Sequence, residues 1–253
     1  MKEFIYSRNA VYETLRARRR QFFALEIGEG AQEKGRLGDI LRIAKERNIP
    51  VKRVPRGRLD RVHANHQGVA LEASGYPYAD LTDIFELAEE RKEPLFVLLL
   101  DTLNDPQNFG TLLRTAEAVG VHGVVIPLAR TVGVTPAVVN ASSGASEHLL
   151  VAQANLHQAI DALKEAGAWI IGLEGGGQAQ GAVLSGQPKD PDKVRLDGAI
   201  GLVVGSEGEG MRPLTVKSCD ILMKLPMKGQ IESLNAAVAG SVALYLAYLA
   251  RQS

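Results

Sequence analysis

The sequence predicts an α/β protein whose larger part is an open, mostly parallel sheet with helices on both faces. Three observations carry this. From Leu95 onward, short apolar runs alternate with helical segments. Runs such as Leu95–Leu100 and Ala199–Val204 are continuously apolar, as in strands covered on both faces, rather than alternating. The helical segments between them keep their apolar residues on one side, as Leu156, Ile160 and Leu163 do within 155–166.

The elements follow in order. Residues 9–18 carry Val11 and Leu15 at helical spacing, and 22–27 are apolar enough for a strand. Leu37, Ile40, Leu41 and Ala44 make one face of a helix over 37–47. Short strands are expected at 51–54, before Pro55, and at 68–73. These alternating elements make a small α/β domain over 1–75. Residues 76–93 open with Pro77 and carry an acidic helical segment, and they read as a linker with a short helix. A second domain, 94–253, has strands at 95–100, 123–126, 169–173, 199–204 and 221–225. Its helices are expected at 111–119, 155–166 and 233–250. The glycine-rich, polar stretch 175–193 reads as a surface loop.

Composition narrows the class. With 45% hydrophobic residues in 253 the chain can bury a core, and with 5% aromatic residues that core must rest on aliphatic side chains. One cysteine, Cys219, rules out an intrachain disulfide. The start lacks the apolar core of a secretory signal, and no apolar run reaches the roughly 20 residues needed to span a bilayer. The expectation is a soluble cytoplasmic protein with no membrane partner. The net charge of zero hides a split. Residues 1–75 hold 16 Lys and Arg against 9 Asp and Glu, a net of +7, and the remainder carries −7. A basic half suggests a polyanionic partner. Its candidate phosphate contacts are Arg16, Arg18, Arg19 and Arg20, then Lys52, Arg53, Arg56, Arg58 and Arg61, because guanidinium forks match phosphate oxygens.

Three loops, each following a strand, hold the residues suited to chemistry. The first is DTLNDPQNFGTLLRTAEAVG, in which Asn108 can cap a helix and Arg114 falls on its first turns. The second, GSEGEGMRP from Gly205 to Pro213, packs glycines around Glu207 and Glu209. The third, from Pro226 to Gly240, sets Glu232, Ser233 and Asn235 at the start of a small-residue helix. The glycine loop has neither the Walker nor the dinucleotide spacing, and its carboxylates would repel phosphates. They suit a cationic or zwitterionic ligand, or alternatively the dipole of a following helix over 211–217. His63 and His66 lack cysteine or carboxylate support for a metal, so no metal is expected. No nucleophile elbow is present, and Cys219 reads as a small apolar residue.

NFGTLLRTAEAVG (Asn108–Gly120), LVVGSEGEGM (Leu202–Met211) and LPMKGQIESLNAAVA (Leu225–Ala239), in this order, resemble the SpoU (TrmH) family of RNA ribose 2′-O-methyltransferases. YSRNAVYETL and HQGVALEA resemble the N-terminal domain of the bacterial subgroup that methylates a guanosine in the peptidyl-transferase region of 23S ribosomal RNA. The resemblance implies an L30e-like RNA-binding domain followed by a SPOUT catalytic domain with a C-terminal trefoil knot, S-adenosylmethionine as cofactor, and a homodimer joined through the knot region. It implies catalytic roles for Asn108, Arg114, Glu207, Ser233 and Asn235 and cofactor contacts at Gly205, Leu225 and Leu234. It adds His66 and Gln67 to the RNA-binding arginines. A transfer-RNA ribose methyltransferase, or a non-catalytic RNA-binding member of the fold, is the alternative.

Overall fold

Every apolar run singled out in the sequence becomes a strand, because each can be covered on one face or both. The computed structural model describes residues 2–174, 183–185, 196–206, 208, 210–230 and 233–252. They divide into two units. One comprises Met1–Pro77 with Val134–His148, and the other Tyr78–Gly133 with Leu149–Ser253.

The first unit contains β1 (Lys2–Tyr6), α1 (Arg8–Ala17), β2 (Phe22–Gly28), α2 (Arg36–Glu46), β3 (Val51–Val54), α3 (Arg56–Asp60) and β4 (Val69–Ser74). The sheet order is β1-β4-β2-β3, with β4 antiparallel to β1 and β2, and β3 parallel to β2. Helices α1 and α2 bury Val11, Leu15, Leu37 and Ile40 completely. Strand β1 and helix α3 are additions to the elements read from the sequence.

The second unit begins with α4 (Leu81–Arg91), β5 (Phe96–Leu100), α5 (Pro106–Ala118) and β6 (Gly123–Pro127). The chain then contributes α6 (Pro136–Ala141) to the first unit. It returns as β7 (Val151–Ala154), α7 (Leu156–Glu165), β8 (Trp169–Glu174), β9 (Val183–Ser185), β10 (Ile200–Val204), α8 (Pro213–Ser218), β11 (Ile221–Lys224) and α9 (Ala236–Ala250). The seven strands run in the order β7-β6-β5-β10-β8-β11-β9. All pairings are parallel except β11 with β9. Strands β5, β6 and β10 are buried along their whole length, as their unbroken apolar runs require. Within 76–93, helix α4 buries Ile84 and Ala88 in the core of this unit. Beyond 183–185, the stretch expected as a glycine-rich loop lies outside the described residues.

Two helix starts differ from the sequence reading, for one physical reason. Asp105, not Asn108, caps α5, accepting from the backbone N–H groups of Gln107 and Asn108. The helix therefore starts at Pro106, whose missing N–H costs nothing at a first turn, and Arg114 falls on its third turn. Likewise α9 starts at Ala236 rather than 233, because the Asn235 side chain accepts from Ala237 and Val238 N–H.

The first unit closes on a buried ion pair. The Arg20 side chain is fully buried and donates to Glu147 through Nε at 2.9 Å and Nη2 at 2.8 Å. Its Nη1 donates to Glu3 and to the Ser74 carbonyl. Glu147, also fully buried, lies just after α6, so the pair ties the Val134–His148 segment to the sheet of this unit. Tyr76 lies under both Arg19 and Arg20 and donates to the Ser146 carbonyl, and burial pushes its hydroxyl up to about 12. Removing one partner of such a pair strands the other charge. Glu147→Ala should therefore cost about 3–5 kcal/mol in urea unfolding. Loss of the exposed Arg16–Glu13 pair through Arg16→Ala should cost no more than about 1 kcal/mol. Equal losses in the two variants would refute the structural role of the buried pair.

Candidate active site

Parallel strands present their carboxyl ends at one edge of the sheet, and there the chain of the second unit makes its three notable loops. Strand β10 ends at Val204 and is followed by a tight return in which Ser206 and Gly210 exchange backbone hydrogen bonds at 3.0 and 3.1 Å. Gly208 and Gly210 have φ of +82° and +69°. The return brings backbone against backbone: a Cβ on Gly205 would lie 2.3 Å from the Gly210 carbonyl carbon and the Met211 nitrogen. The far end of the loop is held from β5. Asp101, fully buried at the end of that strand, accepts from Arg212 N at 2.8 Å and Arg212 Nε at 2.6 Å.

Helices α5 and α9 lie side by side. Asn235 Nδ2 donates to Asn108 Oδ1 at 3.1 Å, Gly240 faces Leu112, and the Thr115 and Ser241 hydroxyls meet at 2.8 Å. Contacts that advance together along both helices mean the two run in the same direction. Their N-termini, the positive ends of both helix dipoles, therefore converge beside the glycine loop.

A cavity of about 550 Å³ opens between the Gly205–Met211 return and the segment from Leu225 to Asn235. That is the size of a small-molecule site. Apolar groups of Leu173, Met211, Leu225, Met227 and Ala239 make much of the wall. Glu174, paired with Lys224 at 3.3 Å, brings a carboxylate to it.

The cavity brings together Gly205, Leu225, Ser233, Leu234 and Asn235 from two separate sequence motifs. Asn108 is buried and reaches it through Asn235. Arg114 is exposed on α5 and is not among the described residues that line the cavity. Glu207, together with Glu209 and Glu232, lies outside the described residues. Asp101 and Asp105 were not singled out in the sequence. Their signal is a carboxylate just beyond a wholly apolar strand, and another just before a proline-led helix.

In the first unit, the arginines expected to contact RNA separate. Arg16, Arg18, Arg53, Arg56 and Arg58 are exposed, with Arg53 paired to Glu33 and Arg58 to Glu26. Arg19 is half-buried and donates to the Tyr76 hydroxyl and the Pro77 carbonyl. Two expectations need correction. Arg20 offers no guanidinium to a polyanion, because Glu147, Glu3 and the Ser74 carbonyl take up its donors out of solvent. His66 is buried, with Nδ1 accepting from Gly68 N at 2.9 Å and Nε2 on Asp60 at 3.1 Å, so it shapes the loop. Gln67 is exposed, and its side-chain carbonyl accepts from Arg8 N.

Two further titratable groups serve the fold. The Cys219 thiol donates to the Thr215 carbonyl, and burial pushes it up to about 12, so it stays protonated and unreactive at neutral pH. His122 accepts from Phe96 N and contacts Glu93, and burial lowers its pKa. Among the described residues, no three His, Cys, Asp or Glu side chains are grouped to hold a metal ion.

Residues 95–245 match the SpoU rRNA methylase family, and residues 4–79 match the substrate-binding domain of RNA 2′-O ribose methyltransferases. The chain belongs to the SpoU/TrmH family of RNA methyltransferases. A putative TrmH family tRNA/rRNA methyltransferase of Bacillus subtilis, YacO, is 40% identical over 98% of this chain and 96% of its own. A relative of the same description from Staphylococcus aureus is 41% identical over 87% of this chain and 85% of its own. The fold matches the SpoU methyltransferase AviRb from Streptomyces viridochromogenes, crystallised with AdoMet, at a TM-score of 0.76. That match has 20% identity and covers 99% of this chain and 91% of AviRb. It also matches an AdoMet-bound rRNA methyltransferase from Sinorhizobium meliloti at 0.73, with 21% identity over 97% and 86% of the two chains. The α/β architecture expected of a SpoU methyltransferase, with a small domain ahead of it, is thereby borne out.

Gly205 is the sharpest steric test of the cavity. Gly205→Ala must push the 210–211 backbone outward, because a contact at 2.3 Å is impossible. Titration calorimetry with S-adenosylmethionine should show at least a tenfold loss of affinity, while the far-ultraviolet spectrum stays unchanged. Unaltered affinity would remove the glycine return from the binding site.

Proposed function

We propose that this family member transfers a methyl group from S-adenosylmethionine to a ribose 2′-hydroxyl of RNA, and that its target is a guanosine in the peptidyl-transferase region of 23S ribosomal RNA. The observation that carries the reading is the cavity at the convergence of α5 and α9, walled by both glycine-bearing motifs. Its size, apolar lining and Glu174 carboxylate suit a nucleoside joined to a sulfonium-bearing amino acid, and its close backbone turns leave no space for bulkier side chains. Gly205, Leu225 and Leu234 would hold the cofactor. When bound, S-adenosylmethionine supplies a methyl group activated by positively charged sulfur.

The chain's own task is to position and deprotonate a weak nucleophile. Asn108 and Asn235 fix each other, so the converging helix N-termini are held to favour negative charge developing on the ribose oxygen. Ser233, exposed at the cavity wall, supplies a hydroxyl beside them. Arg114, exposed on α5, is assigned to the RNA side: it would orient the hydroxyl through the neighbouring phosphate. A guanidinium holds its proton firmly and is a poor base, which favours this role over proton abstraction. Glu207 is the remaining catalytic candidate. The segment that returns from β11 past the glycine loop to α9 is the part that a trefoil knot would thread.

We further infer a homodimer. Helix α9 is apolar on all sides: Ala237, Gly240, Ala243, Leu244 and Ala247 face inward, while Val238, Val242, Tyr245 and Leu249 form an exposed stripe at helical spacing. A second copy would cover that stripe. Sedimentation velocity at micromolar concentration should give a dimer that Val242→Asp dissociates. A wild-type monomer would overturn it.

Incubation with labelled S-adenosylmethionine, 23S ribosomal RNA and bulk transfer RNA tests the reaction and its target together. Label should enter one guanosine ribose of the ribosomal RNA, and Arg114→Ala should abolish transfer while cofactor affinity changes by less than about threefold. Label in transfer RNA alone would move the target, and wild-type turnover by Arg114→Ala would remove Arg114 from the mechanism.

A further inference from the structure

One aromatic pair in the first unit belongs to none of the motifs above. Tyr6, the last residue of β1, is buried, and His63 stacks on it with ring centroids 4.1 Å apart and planes 10° from parallel. His63 is itself exposed. Since Tyr6 covers one face of the imidazole, the exposed part is the other face and the edge. The ring is held from within its loop, Nδ1 accepting from Asn65 N at 3.0 Å.

The surroundings are built rather than incidental. Register Tyr6↔Ala70 puts the end of β1 beside the start of β4, so the loop carrying His63, Asn65 and Gln67 lies next to the entry of α1. Arg8 joins the two, donating from its backbone N to Gln67 Oε1 and from Nε to the Gln67 carbonyl. Both flanks carry backbone that non-glycine residues rarely adopt: Ser7 has φ 73° and ψ 148°, and Gln67 has φ 55°. Such conformations persist only where surrounding structure enforces them, and they concentrate at functional sites. Arg61, two residues ahead of His63, is exposed.

We propose that His63, stacked on Tyr6, is a platform for one unpaired nucleobase of the RNA substrate, with Arg8 and Arg61 beside it for the flanking phosphates. A flat, rigid π face next to guanidinium groups fits an unstacked base, since sequence-specific RNA recognition targets bases splayed from loops and bulges. The surface belongs to a region matching an RNA methyltransferase substrate-binding domain. The proposal rests on the RNA-methyltransferase reading and deepens it. It names the unpaired base as what this unit grips, and His63, rather than the buried His66, as the histidine that grips it.

The full-length protein is titrated into a hairpin RNA whose unpaired loop carries 2-aminopurine, and into a blunt duplex of the same length. The wild type should quench the loop fluorophore. His63→Leu, which keeps an apolar cover over Tyr6 but removes the π face, should lose the quench and bind the hairpin ~5- to 150-fold more weakly, the range for losing one stacked base. Duplex binding should be unchanged, and His63→Phe should restore both signals. Affinity for S-adenosylmethionine, read on every variant, confirms an intact protein. Wild-type quench and affinity in His63→Leu, with methyl transfer to RNA intact, would overturn the platform alone. A wild-type protein that neither binds RNA nor transfers methyl would overturn the platform together with the reading beneath it.

Discussion

The candidate site depends on the contact between α5 and α9. Gly240 makes it possible: a Cβ there would lie 2.6 Å from Leu112 and 3.1 Å from Val204. Because the helices run in the same direction, that close approach also brings Asn108 to Asn235. Asn235 then serves twice. Its oxygen caps α9, and its amide holds the start of α5. The segment from Leu225 to Asn235 is fixed at one end by β11 and at the other by this cap. Separate the helices, and the cavity wall that the segment provides loses its anchor.

A second constraint acts on charge. The basic excess of residues 1–75 pointed to a polyanion, and several of those cations are already paired within the unit. Arg20 is taken up by Glu147 and Glu3, and Arg53 and Arg58 are paired with acids while remaining partly exposed. Exposed pairs of that kind are weak in water and can exchange a carboxylate for a phosphate at small cost. A buried pair cannot, since stripping either partner strands a desolvated charge. Position on the surface therefore decides which arginines are available, and clustering in sequence does not.

The strands of the larger unit were legible because a strand covered on both faces must be apolar throughout. Leu95–Leu100 and Ala199–Val204 admit no other reading at that length, and both lie within a residue of the observed β5 and β10. Helix starts were less legible, because capping is decided by one side chain. Asp105 and Asn108 are both competent caps three residues apart, and Pro106 decides between them by its fixed φ and missing N–H. Strand β1 was missed because KEFIY is partly exposed and follows no clear alternation. The site was legible as motifs but not as contacts. Nothing in the sequence joins Asn108 to Asn235, or Asp101 to Arg212, since both pairs are closed by sheet order. His63 and His66 differ by three positions, and the family resemblance favoured His66 as the RNA contact. Only the fold turns His66 inward to Asp60 and leaves His63 stacked at the surface.

The two faces of α9 connect assembly to chemistry. Ala236 and Ala239 line the cavity, while Val238 and Val242, on neighbouring turns, are exposed. Whatever covers that apolar stripe packs on the same helix that walls the cavity. Burying a stripe of four large side chains is favourable by several kcal/mol at about 25 cal/mol per Å² of apolar area. That gain would also hold α9, and with it the Asn235 cap, against fraying at its first turn. In the dimer inferred above, the same helix that completes the cavity would therefore be stabilised by the partner. Cofactor affinity and subunit association would then be linked, each strengthening the other by the same factor.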